Sequence, residues 1–208
     1  GRRMVMTTSI GISVFPDDGT TSTELLKHAD LALYQSKGNG RNSLNFFSSN
    51  LTTRASLELQ IEEELRHALN EDSGLLLHYQ PIFDLKHGRV AKLEALVRWD
   101  HPTHGLLAPD RFINIAEANG LIAELDSWVL RKACQDLAAL TRLGWQQLGI
   151  SVNCSALNLV RVELADEIES ALFASGIAPH RLELEVTENA LMGNISSTSA
   201  LLRQIRAL

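Results

Sequence analysis

Leu93-Glu94-Ala95-Leu96-Val97-Arg98-Trp99 reads as a strand with two unlike faces. Successive side chains of a strand point to opposite sides, so Glu94, Leu96 and Arg98 share one face while Leu93, Ala95, Val97 and Trp99 share the other. Two later stretches divide in the same way. Ser151, Asn153 and Ser155 alternate with Ile150, Val152 and Cys154, and Glu183, Glu185 and Thr187 alternate with Leu182, Leu184 and Val186. A merely solvated sheet face would carry Lys and mixed charge at these positions. Two carboxylates and an amide favour a site.

Working outward from this strand, the pattern from Leu75 onward alternates strands (75–83, 90–99, 149–154, 182–186) with helices (109–118, 121–143, 156–174 and one from about Ser196). That order predicts the α/β class, built from βα units in a sheet whose neighbouring strands are largely parallel. If the polar faces converge as inward positions do at the carboxyl ends of strands in a (β/α) barrel, then Glu94, Asn153 and Glu185 form an all-oxygen cluster. Such a cluster suits Mg²⁺ or Mn²⁺ rather than zinc. Arg98 beside it would hold a phosphate through its planar fork, and together they point to metal-assisted phosphoryl chemistry. His78, His101 and His104 read as polar strand and loop residues rather than a metal cluster, because hard cations prefer oxygen. Trp99, opposite Glu94 and Arg98, is expected to pack against an outer helix. The run Glu62-Glu63-Glu64 is expected to be a solvated helix face.

Upstream, residues 7–15 read as a strand that runs into the turn Pro16-Asp17-Asp18-Gly19. Thr21-x-x-Glu24 is a capping box, and Leu25, Leu26, Ala29 and Leu33 form a helical stripe that stops at Gly38. A polar amphipathic helix follows, with Leu57, Ile61, Leu65 and Ala68 on one stripe, and is expected to be a connector. The chain has 208 residues and a net charge of -6, which disfavours binding to a nucleic-acid polymer. With 45% hydrophobic and 21% charged residues it has the composition of a globular chain, not a disordered one. No run of about 18 apolar residues is present, so no membrane segment is predicted. The first ten residues do not read as a signal peptide. Cys134 and Cys154 lack CxxC spacing, and a reducing cytoplasm is the expected location.

At these residues the chain resembles a known family pair. Glu94-Ala95-Leu96-x-Arg98 is similar to the signature of the EAL domain, which hydrolyses the bacterial second messenger cyclic di-GMP. The surrounding text agrees: His78-Tyr79-Gln80-Pro81-Ile82, His101-Pro102 with Gly105, Pro109-x-x-Phe112-Ile113-x-x-Ala116-Glu117, Val152-Asn153-x-Ser155 and Glu185-Val186-Thr187-Glu188. The beginning, with Ser9-Ile10-Gly11-Ile12-Ser13, Ala29-Asp30-x-Ala32-x-Tyr34 and Lys37-x-x-Gly40-Arg41-Asn42, resembles the last stretch of a GGDEF domain, the module that makes cyclic di-GMP from GTP.

The resemblance implies a fold, a division and a set of roles. The fold is part of a modified (β/α) TIM-like barrel, preceded by the last strand and helix of a GGDEF domain. The division is a GGDEF remnant over 1–48, a connector helix over 49–73 and the amino-terminal half of an EAL domain over 74–208. Glu94, Asn153 and Glu185 match the family's metal ligands, with Mg²⁺ or Mn²⁺ as cofactor. Arg98 matches a contact to the substrate phosphate, Leu96 lies in the substrate-binding signature, and Gln80 matches a residue near a guanine base. Glu188 matches a residue that anchors a loop over the site. Lys37 and Arg41 match cations that touch a triphosphate, and they read equally as a solvated turn after a helix. Ser36, Asn114 and Cys154 depart from the usual residues in ways the pattern tolerates. The implied reaction is hydrolysis of cyclic di-GMP to the linear dinucleotide, and the rival is a degenerate module that binds cyclic di-GMP without cutting it. The family's Asp-Asp metal pair and catalytic Lys are expected beyond Leu208, so the 208-residue chain by itself is expected to be inactive and to form a homodimer or edge-paired assembly.

Overall fold

The computed structural model of the chain describes residues 7–38, 42–187 and 195–208. Two compact units divide it, Gly1–Ile61 and Glu62–Leu208. In the first, strand β1 (Ile10–Ile12) pairs in parallel with β2 (Leu44–Phe46), and both lie against helix α1 (Ser22–Gly38). Gly11 sets that packing: a Cβ there would fall 2.0 Å from the carbonyl oxygen of Ala29 and 2.3 Å from the nitrogen of Leu33, so only glycine lets strand and helix approach this closely. The capping box forms as expected. Glu24 N–H donates to Thr21 Oγ1 at 3.2 Å, and Glu24 Oε2 accepts from the N–H of Thr21 at 3.0 Å. Buried Ser36 ties the helix to both strands, donating to the carbonyl of Ile10 at 3.0 Å and accepting from Asn45 Nδ2 at 3.0 Å. β2 lies beyond the sequence expectation, because a three-residue strand carries no alternation long enough to read.

Helix α2 (Ser49–Asn70) runs across the division. Of its expected stripe, Ile61, Leu65 and Ala68 are buried. Arg66 pairs with Glu62 at 3.0 Å on the exposed side, a surface pair of small energetic weight.

The second unit holds a five-stranded sheet in the order β3 (Leu75–Asp84), β4 (Arg89–His101), β6 (Gly149–Asn153), β7 (Leu182–Glu185), with β5 (Gly105–Leu107) on the end of β4. The largely parallel expectation needs a correction. β4–β6 and β6–β7 are parallel, but β3–β4 and β4–β5 are antiparallel. The turns joining the antiparallel pairs, 85–88 and 102–104, are too short for the crossover of a dozen or more residues that a parallel pair requires. The described sheet is open, not a closed barrel.

Its apolar face is covered by helix α4 (Ile122–Arg142), which lies against β3, β4 and β6 and buries Ile122, Leu125, Val129, Ala133 and Leu137. Burying each of the branched side chains among these, Ile122, Leu125, Val129 and Leu137, contributes roughly 1.5–3 kcal/mol. Tyr79 reaches α4 from β3, its hydroxyl donating to Asp136 Oδ2 at 2.7 Å. Trp99 is 2% exposed and packs edge-on against Phe112, at the start of short helix α3 (Ile113–Ala118). Helix α5 (Leu164–Ser175) starts later than the sequence suggests, because Asn158–Val160 forms a 3₁₀ turn and Arg161 is extended. Helix α6 (Ile195–Arg206) completes the described elements.

β3 enters the sheet beside the carboxyl end of β4, with Leu75 opposite Trp99. At that end His101, 2% exposed, accepts through Nδ1 from the N–H groups of Thr103 (3.1 Å) and His104 (3.3 Å). Its Nε2 therefore carries the proton and donates to Glu64 Oε2 on α2 at 2.6 Å.

Candidate active site

The register gathers the polar faces into rows. Residues directly paired across strands project to the same side of a sheet. Gln80 pairs with Glu94, Glu94 with Ser151, and Ser151 with Glu183; one row nearer the carboxyl ends, Asn153 pairs with Glu185. Leu96 and Arg98 follow Glu94 on the same face of β4, whose opposite residues Ala95, Val97 and Trp99 are buried. Asn153 Nδ2 donates to Glu94 Oε1 at 3.0 Å, a bond between residues far apart in the chain. The N–H of Cys154 donates to the carbonyl of Glu185 at 2.9 Å, so the ends of β6 and β7 are held together just where Asn153 and Glu185 stand.

The other expected residues are distributed unevenly. Gln80 is exposed on β3, abreast of Glu94. Arg98 is half-buried, and its Nη1 donates to the carbonyl of Val97 at 2.7 Å. Lys37 is exposed in the last turn of α1, in the first unit. Arg41 and Glu188 lie outside the described residues. Lys92 pairs with Glu183 at the amino-terminal end of this face, across the position of Gly149. A Cβ on Gly149 would sit 3.2 Å from Lys92 Cγ, so the missing side chain gives the lysine its passage.

Oxygen donors from Glu94, Asn153 and Glu185 fit a hard divalent cation by their chemistry. Among the described residues no group of three or more His, Cys, Asp or Glu side chains could hold a metal; Glu94, Asn153 and Glu185 bring two carboxylates and one amide to neighbouring strand positions. Ser151 lies between Glu94 and Glu183, fully buried, with an Oγ that has no hydrogen-bond partner among the described residues.

Asp126 is a residue the sequence reading passed over. It stands on α4 behind the end of β6, accepting at Oδ2 from the N–H of Ser155 (2.9 Å) and from Asn158 Nδ2 (2.5 Å). Burial pushes its carboxyl above the usual range, opposed by these two bonds. The available signal was its position. Asp126 falls four residues after Ile122 and three before Val129, a carboxylate on the buried stripe of an amphipathic helix.

A family model of the EAL domain matches residues 62–208. The chain belongs to the EAL family. A second model, that of the GGDEF diguanylate cyclase domain, matches residues 1–43, ahead of the EAL match. The chain is 58% identical over 208 residues to a cyclic di-GMP phosphodiesterase, NbdA, of Pseudomonas aeruginosa, and spans 26% of that relative's length. Among solved structures, a MucR phosphodiesterase in complex with c-di-GMP superposes with a TM-score of 0.67 at 38% identity, covering 71% of this chain and 60% of that one. The FimX EAL domain of Xanthomonas citri, in complex with c-diGMP, gives a TM-score of 0.67 at 26% identity, covering 75% of this chain and 60% of that one. EAL phosphodiesterases in general depend on divalent metal. Among the described residues of this EAL chain no helix is long and apolar enough to cross a membrane.

Proposed function

We propose that this chain is part of a cytoplasmic, metal-dependent cyclic di-GMP phosphodiesterase that opens one phosphodiester bond to give the linear dinucleotide. The observation that carries this reading is the meeting of Glu94, Asn153 and Glu185 on three adjacent strands, with Arg98 on the same face. Mg²⁺ or Mn²⁺ is the cofactor these donors suit, and when bound it would supply Lewis-acid activation of water and neutralise phosphate charge. Glu94 and Glu185 would hold it through carboxylate oxygens and Asn153 through its amide. Arg98 would orient a phosphate through its fork, and Leu96 would line the substrate between Glu94 and Arg98. Gln80, with an amide that both donates and accepts, would meet a guanine edge. Glu188 would anchor a loop over the site, and Lys37 and Arg41 would serve a phosphate of the GGDEF portion. Residues 1–48, 49–73 and 74–208 would act as GGDEF remnant, connector and EAL portion.

The test is Glu94→Gln in the full-length protein. The change keeps the shape but removes an anionic oxygen, and it is expected to abolish divalent-dependent hydrolysis while circular dichroism stays unchanged. Near-normal turnover at low metal would refute the ligand role. Tight cyclic di-GMP binding without cleavage in the unmutated protein would replace the enzyme by a receptor.

A further inference from the structure

Strand β6 ends at Asn153, and the backbone beyond it leaves the ladder. What then fixes the amide donor? On one side Cys154 N–H grips the carbonyl of Glu185 at 2.9 Å. On the other side lies a set of bonds that the catalytic reading does not use. Ser155 donates its N–H to Asp126 Oδ2 at 2.9 Å and its Oγ–H to Glu117 Oε1 at 3.0 Å, while its Oγ accepts from Leu157 N–H at 3.3 Å. Asn158, fully buried, donates to the same Asp126 oxygen at 2.5 Å and accepts from Arg161 Nη1 at 3.0 Å.

We propose that Asp126 is a positioning residue for the metal site, clamping the 154–158 turn so that Asn153 and Glu185 present their oxygens in one fixed frame. The inference rests on the metal-ligand reading of Asn153 and Glu185 and deepens it. A half-buried carboxylate on the apolar stripe of a helix is costly, and packing alone would be better served by an aliphatic residue. Its two bonds instead lock both ends of one turn, at Ser155 and Asn158. The turn begins next to Asn153, and Cys154 transmits the constraint to β7. The linkage acts through backbone, so it controls where the donors stand without touching the cation or the substrate. Outer-shell partners of this kind are typically worth 10- to 100-fold in metal affinity.

Both bonds reach the same oxygen, which sets the experiment. An asparagine at this position still offers one carbonyl oxygen to both donors, whereas alanine offers none. In the full-length protein, Mn²⁺ dissociation constants measured by electron paramagnetic resonance, together with kcat and KM, are compared for Asp126→Ala, Asp126→Asn, Asn158→Ala and Glu94→Gln. Asp126→Ala is expected to weaken Mn²⁺ about tenfold or more and to lower kcat with KM little changed. Asp126→Asn is expected to recover most of the affinity. Folded Asp126→Ala protein with unaltered Mn²⁺ affinity overturns the proposal, and so does an Asp126→Asn variant as weak as the alanine. Should Asp126→Ala fail to fold, Asn158→Ala carries the same test by removing one of the two bonds, and unchanged affinity there overturns the clamp. Glu94→Gln separates the two levels. If it leaves Mn²⁺ affinity intact, the metal site itself is misassigned; if it abolishes binding while Asp126→Ala and Asn158→Ala leave Mn²⁺ affinity unaltered, the clamp alone fails.

Discussion

Arg98 forms no ion pair among the described residues; its Nη1 is spent on the neutral carbonyl of Val97. A guanidinium so placed keeps its charge and most of its planar fork for an anion, and a lysine would supply the charge without the fork. Arg98→Lys in the full-length protein is therefore expected to weaken cyclic di-GMP binding by about 1.5–3 kcal/mol, roughly tenfold or more, as read by calorimetry. Unchanged affinity would place the phosphate elsewhere. At this scale the sequence was informative wherever alternation decides orientation: Glu94 against Ala95, and Asn153 against Val152, follow from the pleat alone. It was silent where a role depends on partners brought from afar. Asp126 acquires its function only when α4 is laid behind β6, and no spacing within 126–158 announces that its carboxylate will meet Ser155 and Asn158.

Among the elements, the β1–α1 contact is the one most narrowly determined by a single position. Adding a methyl group at Gly11 would drive it into the backbone of Ala29 and Leu33, which cannot rotate away as a side chain would. Gly11→Ala is expected to unseat β1 and expose the first unit, while the second keeps its native circular dichroism and thermal transition. Limited proteolysis with mass mapping checks this, and equal protection of residues 7–46 in variant and parent would refute it. Long elements were legible because their patterns are long: α4 shows several turns of apolar period, and β4 shows its alternation over 93–99. The three-residue strands β2 and β5 escaped for want of length. The direction of β3 was misjudged for a different reason: strand and helix alternation suggests parallel pairing, but the loop length between two strands decides it. The turn at 85–88 had the last word.

For the whole molecule, the described sheet runs from β3 to β7, and no described strand pairs with the outer edge of β7. Beside that edge lies a cavity of about 710 Å³ lined by Leu172, Leu182, Leu184, Leu202 and Ile205. Open backbone groups next to apolar surface invite another strand. The 208-residue chain is thus expected to self-associate, and light scattering checks it: a stable monodisperse monomer would refute the expectation, while a charged substitution such as Leu184→Lys should shift any dimer toward monomer. The reversed direction of β3 has a different reach. In a sheet of uniformly parallel strands, chain arriving before the first strand comes in at the amino-terminal edge, on the far side from the reactive groups. Here the first strand runs the other way, so α2 arrives at the carboxyl-terminal rim, where His101 holds Glu64. The later turns of that helix therefore bear on the carboxyl-terminal rim directly, through Glu64 and His101, with no thickness of sheet between them.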